Sequence, residues 1–174
     1  MFSKKRLFVP VVLILTIFIG VSAAMAQNPS CPYTLESLRG VYGVVNSYGA
    51  GLALGLQIET LDGYGNLTRT GVLNQPTAGS STGARTVATV TSTGTYTVNC
   101  DGSGVITRIV TRPDGSKAPA SDDFIITQAF EVNNGLLMAT TIVDAQRDPS
   151  VIIPGGVFVT RVHTRRPDTY FVGR

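Results

Sequence analysis

The sequence predicts an all-β protein, an antiparallel up-and-down β-barrel of about eight or nine strands. Three observations carry this expectation. Runs rich in Val, Thr, Ile and Tyr alternate apolar and polar residues with a period of two, the repeat of a half-buried strand. Between them lie short turns of Asp, Asn and Gly, at Asp62 to Asn66 (DGYGN), Asp101 to Gly104 (DGSG), Pro113 to Lys117 (PDGSK) and Asn133 to Gly135 (NNG). Such links join antiparallel neighbours, because a parallel crossover needs a dozen or more residues. Finally, no stretch after the N-terminal segment reads as a long helix.

The chain opens on Lys4, Lys5 and Arg6, then an apolar run from Leu7 to Val21, then the small-x-small triplet Ala24, Met25, Ala26. This is the pattern of a signal peptide over residues 1–26, cleaved between Ala26 and Gln27. The apolar run is shorter than the roughly 20 residues of a spanning helix. Cys31 follows Asn28, Pro29 and Ser30 rather than a lipobox. A periplasmic or extracellular chain with no stable membrane anchor after cleavage is therefore expected. The barrel domain is assigned to 27–165 and a C-terminal tail to 166–174.

One helical turn is expected over 35–38. Strands are expected over 40–47, 52–60, 66–73, 85–91, 95–100, 105–111, 124–132, 136–144 and 157–164. Tyr96, Val98 and Cys100 share one face of their strand, and Phe124, Ile126, Phe130 and Val132 repeat the pattern, interrupted by Gln128. The run from Leu136 to Val143 is apolar on both faces, which calls for a covering loop, terminus or second subunit. Connections 74–84 and 145–155 read as rim loops.

Three of the fourteen basic residues leave with the leader and none of the eleven acidic ones do, so the remainder is balanced. Its basicity belongs to the targeting segment and gives no support for a nucleic-acid partner. Arg161, Arg165 and Arg166 form the only basic cluster, expected as a solvated edge. Cys31 and Cys100 are the only cysteines. In an oxidising compartment they can form a disulfide, the alternative being two isolated thiols.

The stretches LRGVYGVV (Leu38 to Val45), DGYGNLTRTG (Asp62 to Gly71) and GTYTVNCDGSG (Gly94 to Gly104) together resemble the allene oxide cyclase barrel-like proteins of the calycin and dirigent type, a family of exported bacterial chains. The resemblance implies a calycin-like barrel with a cavity. The plant enzymes that name the fold cyclise a fatty-acid epoxide without metal or nucleotide, and none of their catalytic residues maps onto a motif here. In the family the cysteine follows the turn aspartate, whereas Cys100 precedes Asp101.

His163 is the only histidine, which excludes a multi-histidine metal centre and leaves one imidazole for acid-base work. No metal site and no cofactor is expected. Arg161 and His163 share a face with Val157 and Val159, so a face lining the barrel would offer both to a ligand carboxylate. Glu59 and Glu131 lie within apolar strands and are candidate buried carboxylates for general acid or base catalysis. Asp122 and Asp123 point to opposite faces and read as a strand start. The turn aspartates lack the further acidic ligands of a calcium site.

Three functions fit these features. The first is a non-catalytic binder of a small apolar or amphipathic ligand, and the second a cofactor-independent isomerase of the cyclase type. The third is a structural or interaction module with a filled barrel, open to homo-oligomer formation. An eight-stranded barrel is either just packed or just hollow, so its interior decides among them.

Overall fold

Strands joined by tight turns lie beside their sequence neighbours, and eight of them close here into a barrel in the order β1 to β8. The computed structural model describes residues 31–49, 52–132, 135–153 and 156–167. The expected leader, its cleavage point and all but the first two residues of the tail lie outside the described residues. The strands are β1 (Gly40–Tyr48), β2 (Ala53–Leu61), β3 (Asn66–Pro76), β4 (Arg85–Val98), β5 (Ser103–Thr111), β6 (Lys117–Glu131), β7 (Leu137–Gln146) and β8 (Val159–Arg165). Every neighbouring pair is antiparallel, and β1 closes on β8 with Val45 opposite Val162.

Two runs read separately in the sequence are one strand, β4. The Ser-Thr-Gly stretch between them, residues 92–94, continues the ladder, with Gly94 opposite Arg108. A Cβ at Gly94 would collide with the carbonyl oxygen of Thr107, and one at Gly71 with that of Leu56. These glycines let neighbouring backbones approach where the sheet curls. On β6, register shifts between Ile126 and Ala129 accommodate Gln128 and rotate the rest of the strand, so Phe130 is exposed where simple alternation placed it with Phe124. Strand β6 also begins at Lys117 rather than at Phe124, so Asp122 and Asp123 lie within it and not at its start.

Aspartates organise the turns. Asp62 accepts hydrogen bonds from the backbone N–H of Tyr64 and Asn66, Asp101 from Ser103 and Asp114 from Ser116. These are Asx turns that replace missing ladder bonds.

The interior is layered. One apolar cluster, with Leu38, Tyr42, Val44, Leu61, Leu67, Tyr96, Ile106, Phe124 and Ile142, fills one end. A smaller one, with Tyr48, Ala53, Leu73, Val90, Ile153 and Val159, fills the other. The rim segment after β7 is thus partly docked, through Ile153. Between the clusters the inward positions of β1, β2, β3, β4 and β8 are polar or glycine.

A 3-10 turn over Leu35–Leu38 seals the first end. Leu38 is fully buried, and the Tyr96 hydroxyl donates to the Leu35 carbonyl while accepting from the Gly63 N–H. Leu137 N–H donates to Pro32, so the N-terminal segment covers the start of the doubly apolar β7. Cys31 and Cys100 form a disulfide with Cα atoms 4.8 Å apart. Closing a loop of about 70 residues contributes on the order of 4 kcal/mol through the unfolded chain. Replacing both cysteines by Ser is expected to lower Tm by about 10 °C or more, and an unchanged calorimetric Tm would remove the disulfide from the account of stability.

Candidate functional site

Between the two apolar ends lies a layer of ions. Seven ionisable side chains occupy it: Glu59 on β2, Arg69 on β3, Arg108 on β5, Asp122 on β6, Asp144 on β7, and Arg161 and His163 on β8, all buried. All but His163 share the inward parity of an apolar neighbour two residues away, as Arg69 does with Leu67, Arg108 with Ile106 and Val110, Asp144 with Ile142, and Arg161 with Val159. Strand alternation therefore drives them inside. Buried charges survive only where they are paired.

The pairing runs across the barrel as one connected network. Arg69 donates from Nε and Nη2 to Glu59 Oε1, at 3.0 and 2.5 Å. His163 Nδ1 lies 2.7 Å from Glu59 Oε2 and its Nε2 lies 2.8 Å from Asp144 Oδ2. Arg161 Nη1 donates to both Asp144 Oδ1 and Asp122 Oδ1, each at 2.9 Å. Arg108 Nη2 donates to Asp122 Oδ1 at 3.0 Å and sits 2.8 Å from Oδ2. That second contact is an ion pair without hydrogen-bond alignment.

This geometry fixes the state of the histidine. Burial would raise the Glu59 carboxyl, but the charges of Arg69 and His163 outweigh it and hold the pKa at about 2. Burial likewise opposes ionisation of Asp144, and Arg161 and His163 overcome it, keeping that carboxyl well below its usual range. Two ionised carboxylates only accept, so both ring nitrogens of His163 must donate, and the ring is an imidazolium. Desolvation works against that charge, and Glu59 and Asp144 together raise the pKa above its ordinary value.

Several sequence expectations meet this layer. Arg161 and His163 do face inward beside carboxylates, and the carboxylates they touch are the chain's own. The solvated basic edge is corrected: Arg161 is buried, Arg165 is half-buried with its guanidinium bonded to the Ala139 carbonyl and the Tyr42 hydroxyl, and Arg166 is exposed. Glu59 is fully buried, whereas Glu131 is exposed at the end of β6. Asp122 and Asp123 do point to opposite faces, Asp123 pairing outside with Arg147. Arg69, Arg108 and Asp144 are not among the residues that motif reading selects. Their signal is parity alone, a charge at the inward beat of an apolar strand.

Folding stability should carry the signature of this layer. Glu59 has a folded pKa below its ordinary 4.5, so its contribution is complete above pH 4.5 and is lost as pH falls toward 2. His163 has a folded pKa above its ordinary 6.5, so its contribution is complete below pH 6.5 and is lost as pH rises through the folded value. Urea unfolding should give maximal stability at about pH 4.5–6.5 with a decline on both sides. Stability that rises between pH 6.5 and 8.5 would mean a neutral ring. Asp144→Asn strips Arg161 and His163 of a shared partner and should cost about 3–5 kcal/mol in the same measurement.

Comparison of the chain with family models, curated proteins and solved structures returns no match, so a functional reading rests on this geometry.

Proposed function

We propose that the chain is exported, cut after Ala26, and works as a structural module of the allene oxide cyclase-like barrel type that self-associates through its outer wall. The leader pattern supports export, as does a disulfide, which persists in oxidising compartments.

One observation carries the module reading. The charged side chains of the five adjacent strands β3, β2, β1, β8 and β7 all lie inside or half-buried at the rim, as Glu59, Arg69, Asp144, Arg161, His163 and Arg165. Their outward positions are uncharged. Across them runs a lateral row, Val72, Leu56, Val45, Val162 and Val143, continued by Ile125 on β6, each opposite the next in register. Leu54 and Ile58 flank it, and Leu56 is 63 % exposed.

These eight side chains expose apolar surface on the order of 700 Å², more than a typical monomer's largest patch, but the row crosses six of the eight strands and curves round the barrel, so one partner covers its middle, Leu56, Val45 and Val162, rather than all of it. A second copy of this chain fits as the occupant. The balanced charge after cleavage offers no repulsion between copies, and a uniform apolar row matches itself across a two-fold axis. Lipid fits less well, because the row is bordered by Thr60, Thr68, Thr70, Thr160 and Thr164, whose hydroxyls would add polar groups to a hydrocarbon-facing wall.

Binding an apolar ligand, or cyclising one, requires room at mid-barrel, where the ionic layer sits. Glu59, held ionised, has no proton to donate as a general acid.

Light scattering after size exclusion on the mature chain should give an oligomer at micromolar concentration. Leu56→Lys with Val45→Lys should give a monomer with Tm within about 3 °C of the parent, since both side chains are exposed. A parent chain that stays monomeric at about 100 μM, a concentration at which even weak specific pairs associate, overturns the reading. So does one that instead floats with phosphatidylglycerol vesicles.

A further inference from the structure

The three buried arginines do not spend themselves fully on the carboxylates. Arg69, Arg108 and Arg161 line a small cavity of about 20 Å³ together with Asn46, Gln57 and Ser92. That is room for one small species, since a single water needs roughly 10–15 Å³ by this measure. No described residue lining the cavity is acidic. Around it the polar atoms lack partners: Nε of Arg108, Nε of Arg161, Oε1 of Gln57, and both amide atoms of Asn46. Asn46 is 1 % exposed, Arg108 3 % and Arg161 4 %. Asn46 stands directly opposite Arg161 in the β1–β8 register, within a few ångströms on the same inward face.

Charge inventory points the same way. The imidazolium and three guanidiniums face three carboxylates in the buried layer, an excess of one positive charge. Glu59 and Asp144 are taken up by Arg69, His163 and Arg161, and Arg108 has only a share of Asp122, which it meets through a single nitrogen. Burial, and then the like charges of Arg161 and Arg69, push the Arg108 pKa down, the mark of a cation short of counter-charge. An uncompensated buried charge costs several kcal/mol, and guanidinium, being weakly hydrated, suits a weakly hydrated anion.

We propose that this cavity binds one small monovalent anion, of halide size, between Arg108, Arg161 and Asn46. The site is independent of the outer-wall reading, because none of its residues faces outward. The anion completes the charge of the layer and accepts from the guanidinium and amide N–H groups.

Two measurements test this. In crystals of the wild-type chain grown with sodium bromide, the anomalous map should show a peak inside the barrel against Arg108 and Arg161. Ordered water there, or bromide at the surface only, overturns the proposal. In solution at pH 5.5 and constant ionic strength, Tm should rise by about 5–10 °C as chloride replaces gluconate from 10 mM to 1 M, with saturation. Asn46→Asp places a carboxylate beside Arg161 at nearly unchanged volume. It should raise Tm in gluconate and abolish the chloride response. An equal response to gluconate, or an Asn46→Asp chain that is less stable than wild type or fails to fold, counts against an uncompensated positive charge.

Discussion

The contact on which the rest of the interior depends is the bridge that His163 makes between Glu59 and Asp144. Without a doubly protonated ring, two carboxylates on strands β2 and β7 would share a dry space with only the arginines to answer them. With it, charge alternates across the barrel: Arg69, Glu59, His163, Asp144, Arg161, Asp122, Arg108. Six of the eight strands supply a member, and β1 and β4 add Asn46 and Ser92 at the same level. Each contact is short and directional, so the network tolerates one register. A slip of one residue in any of these strands would turn its charge outward and bring an outward residue inward, uncharged in every strand but β6, where Asp123 stands beside Asp122. The layer therefore selects the fold among alternatives more than it adds to net stability, since desolvating ions offsets most of what pairing returns.

The two apolar clusters explain why such a layer can exist at all. They close both ends of the barrel and lower the dielectric between them, which strengthens every pairing inside. Leu38 and the 3-10 turn at one end, and Ile153 at the other, keep water from competing for the ions. The disulfide holds the first of these plugs in place, tying the segment before β1 to the end of β4.

Much of this was legible in the sequence, and the reasons are specific. Tight Asx turns and period-two strands gave the antiparallel barrel, because each is a local signal of backbone conformation. The strand bounds differ where a local pattern has a non-local cause: the Ser-Thr-Gly stretch before Thr95 continues the ladder because Gly94 relieves a close backbone approach, and Gln128 sits at a bulge. Glu59 and His163 stand out in the sequence as candidate inward groups, whereas Arg161 reads there both as such a candidate and as part of a solvated edge. Their partners do not stand out, because contacts such as that between residues 59 and 163 depend on barrel closure, which no local pattern encodes. Inward parity of Arg69, Arg108 and Asp144 is present in the strand alternation, but a charge is stable inside only beside a partner, and the partners lie on strands distant in the chain.

An ionic middle also changes how such a barrel responds to heat. Because a good part of its inward surface is polar, unfolding exposes less apolar area than an all-aliphatic core of equal size, and the heat-capacity increment is correspondingly small. The penalty for desolvating ions shrinks on warming. The stability curve of this chain should accordingly be shallow and broad, holding its value over a wide range of temperature instead of peaking sharply. For a protein read as working outside the cell, that breadth is a useful property.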